Sequence, residues 1–281
     1  MPGRAGARRH GDRGSARVRL LTGAAVLSAT VLVVIAVRAG DQGSAGDPTV
    51  GAVVRVGVRD GDSIPDYLSS TRRELASLVA VAPSAAPGPD PYALVTFAAY
   101  RTPDQLAPAL DGVTVAAVYA RVPTPRVQTQ IVRIPAIRVP ADVAAGMLDA
   151  AARKDREAAD YRRLSAALTG DGAEQRRRRD LYDSGAAVAA AEATAYRQRC
   201  GCVYAAVVRA PAAALDRIAT RPEVRTVDPA PEVQRLDRAV FVPPLPEQVD
   251  VVRPPADDGS PGTGPSSDFA GVRSPSATAG R

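Results

Sequence analysis

From Leu20 to Val37 the chain runs through eighteen residues without a charge, and beyond it the apolar positions become periodic. At the helical rise an eighteen-residue run spans about 27 Å, close to the hydrocarbon thickness of a bilayer, so it is expected to cross one. After a Gly-Ser-Asp stretch, Val50, Ala52, Val54, Val56 and Val58 alternate with Gly51, Val53, Arg55, Gly57 and Arg59, the period of a strand with one buried face. A helix is predicted next. Ser63 is its cap, Pro65 suits its first turn, and Ile64, Leu68, Leu75 and Leu78 share a face. The stretch from Pro83 to Pro91 reads as a linker.

An imperfect repeat follows, its two copies about 110 residues apart. The first, Tyr92 to Val118, reads Y-A-L-V-T-F-A-A-Y-R-T-P-D-Q-L-A-P-A-L-D-G-V-T-V-A-A-V. The second, Val203 to Val227, reads V-Y-A-A-V-V-R-A-P-A-A-A-L-D-R-I-A-T-R-P-E-V-R-T-V. In each, an apolar strand leads to a helix opening on Pro103 or Pro211, where the missing N–H costs nothing. Leu106 and Leu110 match Leu215 and Ile218, and Val113 and Val115 match Val224 and Val227 in a returning strand. Two strand-helix-strand halves in one sheet predict an α+β, ferredoxin-like βαβ…βαβ sandwich. Chance similarity between short units of an Ala- and Val-rich chain gives the same architecture.

Between the copies, Val127 to Val139 alternates as an extended segment, and two polar helices follow, Asp142 to Leu168 and Glu174 to Arg199. With Thr169-Gly170-Asp171-Gly172 as the turn, they form an inserted antiparallel helical hairpin over residues 142–199, coiled-coil-like and about 40 Å long. The hairpin either projects to meet a partner or covers one sheet face. Residues 243–281 hold eight prolines and five glycines and read as a disordered tail.

Charge divides the chain unevenly. Arg4, Arg8, Arg9, Arg13, Arg17, Arg19 and Arg38 against Asp12 carry the entire formal +6, leaving 29 basic and 29 acidic residues in the other 243. The basic flank of the apolar run places the N-terminus in the cytoplasm. The expected organisation is a basic cytoplasmic tail (1–19), a transmembrane helix (20–38), a linker (39–48), an extracytoplasmic domain (49–242) and the tail (243–281). Cleavage near Ala39, after Val37-Arg38, is the alternative, with secretion as its consequence. The neutral outer region argues against a nucleic-acid partner. Arg176 to Arg179 sits in helices carrying eleven basic and ten acidic groups, a solvated surface. One lysine, Lys154, stands against 35 arginines, with abundant Ala, Val, Gly and Pro, the residues of GC-rich bacterial codons.

Candidate chemistry is sparse. The single histidine, His10, lies in the cytoplasmic tail, which removes Ser-His and Cys-His pairs and His-rich zinc sites from the outer region. A serine-lysine dyad would need Lys154, which sits among Arg153, Asp155, Arg156 and Glu157 in a solvated-looking stretch. Asp155, Glu157 and Asp160 read as intrahelical ion pairs. Asp257-Asp258-Gly259 reads as an acidic turn, since no glutamate completes a calcium loop. No catalytic residue, cofactor or metal is expected. Cys200 and Cys202 are the one specific constellation. Gly201 lets the chain bend enough for a disulfide between them, expected as a structural clip at a helix-to-strand junction, with intermolecular pairing and redox work as the alternatives.

The stretch L-D-R-I-A-T-R-P-E-V-R-T-V-D-P, Leu215 to Pro229, resembles the closing helix and strand of subtilisin-type propeptides and related inhibitors. The resemblance implies a ferredoxin-like fold and an activity of binding a protease or assisting its folding; the inserted hairpin departs from that family's compact form. The residues themselves lead to a single-pass, membrane-integral protein of a bacterial cell envelope. It is expected to be a non-enzymatic interaction or scaffold module with a protein partner in the envelope. A propeptide-like binding module and a thiol-active envelope protein are the alternatives.

Overall fold

The computed structural model describes residues 53–82, 88–255 and 257. The basic tail, the predicted transmembrane helix, the linker 39–48, His10 and residues 258–281 lie outside the described residues. Among those described, no helix is long and apolar enough to cross a membrane. The described residues from Val54 onward form one compact unit.

That unit is α+β. Its elements are β1 (Val54–Gly57), α1 (Ile64–Val81), β2 (Tyr92–Arg101), α2 (Pro103–Ala109), β3 (Thr114–Ala120), β4 (Val132–Pro135), α3 (Ala141–Ala166), α4 (Ala173–Arg197), β5 (Val203–Arg209), α5 (Ala212–Ala219), β6 (Val224–Ala230) and β7 (Ala239–Val242). Five strands form one sheet in the order β4-β3-β5-β2-β6, every neighbouring pair antiparallel. The halves β2-α2-β3 and β5-α5-β6 interlock, since β5 lies between β2 and β3, and β2 lies between β5 and β6. Leu106, Leu110, Leu215 and Ile218 are all buried, as the repeat requires.

Alternation along the strands divides the core. Ala93, Val95 and Phe97 of β2 face the helices, meeting Leu106, Leu215 and Ile218, while Leu94 faces the other way. That opposite face meets a two-stranded parallel sheet in which β1 pairs with β7, Val54 opposite Ala239. Side chains such as Phe97 and Leu94, fully removed from water, each stabilise the fold by about 1.5–3 kcal/mol.

Local rules account for the termini. Asp66 N–H donates to the Ser63 hydroxyl and Pro65 occupies the first turn of α1. Asp142 accepts the Ile137 and Arg138 N–H groups at 3.0 and 2.8 Å, which takes both out of strand pairing. The predicted extended segment 127–139 yields only a four-residue strand, Val132–Pro135, and these bonds account for its C-terminal limit.

Two expectations need correction. Of the alternating run from Val50, residues 50–52 lie outside the described residues, and the strand Val54–Gly57 stops short of Val58 and Arg59 because Gly57 turns at φ 102°. A Cβ there would collide with the Val242 carbonyl oxygen. Gly57→Ala is accordingly expected to lower stability by about 2–3 kcal/mol, read from urea unfolding, since strain and overlap act together. Second, residues 243–255 are not a disordered tail. Leu245 is buried, and Arg225 donates to the carbonyls of Leu245 and Gln248. Ile64 N–H reaches Asp250 O and Val252 N–H reaches Asp62 O, each at 2.9 Å. The segment lacks sequence periodicity because its backbone groups are satisfied one by one, by arginines and by the turn before α1.

Candidate functional site

The hairpin is half core and half projection. Alanines at 150, 151, 158, 186, 189 and 193 form its buried seam, and their small side chains let the helices approach closely. Val143, Met147 and Tyr196 anchor its base in the main core. Between residues 159 and 185 no side chain is buried. This outer half nevertheless carries Leu164 and Leu181, 48% and 67% exposed. The Tyr161 and Tyr182 rings meet there at 6.3 Å, and Gly185 leaves room for Tyr161, whose ring would lie 3.1 Å from an added Cβ.

A groove of about 590 Å³ runs down this face from Leu181 and Tyr182, past Tyr161 and Val188, to Lys154 and Glu192. Its floor is charged and largely buried. Lys154 Nζ lies 2.9 Å from Glu192 and 2.8 Å from Glu157, and Gln130 N–H donates to Glu192 at 3.1 Å. Lys154 is 5% exposed and Glu192 2%. Burial opposes the charge on Lys154, but its hydrogen bonds to Glu157 and Glu192 outweigh it and raise the pKa above the ordinary value.

These facts revise the sequence reading of Lys154, which is buried rather than solvated. Ser184 lines the same groove. Two carboxylates hold Lys154 in its charged form, which is not the form that takes a proton from a serine. The remaining acidic neighbours do pair. Glu157 meets Lys154 and Asp160 meets Arg163 within α3, whereas Asp155 reaches across to Arg197 of α4. The arginine run is spent on the hairpin tip: Arg177 and Arg178 on Glu174, Arg176 on Asp171 O, Arg179 on Leu168 O.

Other polar groups converge where the sequence offered no signal. Arg121, almost fully buried, donates to Glu247 at 2.7 Å and to the Tyr100 hydroxyl at 3.0 Å, pinning residues 243–255 to the sheet. Between α1 and β6 a second groove, about 570 Å³, contains Asp228, 7% exposed, which accepts from the Tyr67 hydroxyl at 2.9 Å. Burial pushes the Asp228 carboxyl up to about 6; Glu74 and Glu232 add to this, while Tyr67 and the Gly57 N–H oppose it. Among the described residues no group of three or more His, Cys, Asp or Glu is arranged to hold a metal. Asp257 lines the hairpin groove, while Asp258 and Gly259 fall outside the described residues.

Cys200 and Cys202 are bonded to each other, their Cα atoms 5.2 Å apart, at the junction of α4 and β5. Arg199 turns at φ 53° to enter the junction. Closing so short a loop restricts the unfolded chain little, by about 1.5 kcal/mol. No family model, no curated protein and no solved structure matches this chain.

Proposed function

We propose that this is a single-pass cell-envelope protein, cytoplasmic at its N-terminus, whose outer domain binds another protein through the projecting half of its helical hairpin. The outer domain is read as a ferredoxin-like sandwich, on the strand order β6-β2-β5-β3, with β4 and the hairpin inserted between its halves. The observation that carries the binding reading is the unburied stretch 159–185, which still presents Leu164, Leu181 and the neighbouring Tyr161 and Tyr182 rings beside a groove. Exposed apolar and aromatic side chains clustered on one face are what interfaces use as anchors. The function requires no catalysis at this groove.

The test is capture from crosslinked native membranes with the full chain, tagged at its C-terminus, against Leu164→Glu/Leu181→Glu. Both substitutions fall on exposed positions, so circular dichroism should be unchanged while recovery of the partner falls at least tenfold. Equal recovery would move the binding surface away from the hairpin. Deleting residues 142–199 is a poorer control, because it removes Val143, Met147 and Tyr196 from the core. Alkaline phosphatase fused after Arg281 should be active, and fused before Met1 inactive, if the apolar run anchors the chain as proposed.

A second reading, a propeptide-like protease binder, is favoured by one observation. Leu215 to Pro229, the stretch that carries the resemblance, folds as most of α5 followed by β6. Inhibition of a subtilisin-type protease by the purified protein supports it, and absence of both inhibition and binding removes it.

A further inference from the structure

We propose that the Cys200–Cys202 disulfide is an exchange site for protein thiols, opened in the folded protein by attack at Cys200. This activity is separate from the hairpin reading and rests only on the junction between α4 and β5.

The two sulfurs are unequal. Cys200 retains part of its surface in solvent, whereas Cys202 is fully buried in the core. An incoming thiolate therefore meets Cys200 first. Nothing in the backbone depends on the bond. Cys200 N–H donates to Ala195 O, Cys202 N–H to Arg101 O, and Arg121 N–H to Cys202 O, at 3.2, 3.1 and 2.9 Å. With every one of these groups satisfied independently, the junction keeps its path when the sulfurs part. A cross-link closing so small a loop also adds the least that a disulfide can add.

The reaction balances with a protein dithiol as the other reactant. One substrate thiolate attacks Cys200 Sγ, the Cys200–Cys202 bond breaks, and the electron pair departs on Cys202. The second substrate thiol, deprotonated, attacks the substrate sulfur of the mixed disulfide and releases Cys200. The substrate ends as a disulfide, and its two protons end on Cys200 and Cys202. The same steps run backwards when this chain is reduced and the substrate oxidised.

The test uses the full-length folded protein with dithiothreitol as the dithiol probe. Acid quenching, alkylation and intact mass count opened pairs over time, and near-UV circular dichroism gives the unfolding rate in parallel. Opening at least 100-fold faster than unfolding is the expected result. Opening no faster than unfolding overturns the proposal and leaves a structural clip.

Discussion

Replacing Glu192 by alanine is expected to destabilise the protein by about 3 kcal/mol or more, the largest loss of any polar substitution on the hairpin. The reason is what remains. Lys154 would keep Glu157, but that carboxylate is 41% exposed, and the ammonium would sit at the groove floor facing an emptied pocket. The Gln130 N–H would lose its acceptor in the same step. Glu192→Gln keeps the shape and an acceptor oxygen, so it should lose less. The decisive comparison is the double variant Lys154→Met/Glu192→Leu, which removes both charges and should recover most of the stability, because desolvating two ions consumes most of their attraction. Urea unfolding of the four proteins measures this. A double variant as unstable as Glu192→Ala would mean that the pair itself, not the stranded charge, stabilises the hairpin base.

That pair also marks the boundary of what sequence patterns reveal. Ser63, Pro65 and the stripe of α1, the hairpin with its turn, and both strand-helix-strand halves were legible, because each is fixed by residues a few positions apart. Leu106, Leu110, Leu215 and Ile218 are buried where the repeat places them. The polar contacts follow no local period. Arg121 and Glu247 lie 126 residues apart, and Tyr67 and Asp228 lie 161 apart. β7 escaped notice for the same reason, since Ala239–Val242 becomes a strand only by pairing in parallel with β1. Lys154 does carry a signal in the composition. In a chain that otherwise uses arginine for every basic position, the one compact ammonium sits between two carboxylates at the base of the groove.

The groove beside α1 should make stability depend on pH through Asp228. Its carboxyl is raised to about 6, while in the unfolded chain it titrates near 3.9. Between these values the folded protein binds the extra proton. The contribution is therefore fully present below about pH 4 and is lost as pH rises through 6, roughly 3 kcal/mol in all. Asp228 is buried, so solvent screening removes little of this. The groups facing it act in one direction, Glu74 from α1 and Glu232 from beyond β6, and are opposed by the Tyr67 hydroxyl and the Gly57 N–H, with Arg225 near Tyr67. Asp228→Asn cannot ionise, so its stability should match the native chain near pH 4 and exceed it increasingly up to pH 7. Urea unfolding of both proteins at pH 4, 5, 6 and 7 gives the difference directly, free of every other titrating group. Two parallel pH profiles would show that Asp228 ionises normally and that the groove is wetter than its geometry implies. A rising difference would instead establish that the folded chain keeps a strained carboxylate at neutral pH. A positively charged group entering that groove would then bind more tightly above pH 6 than below it.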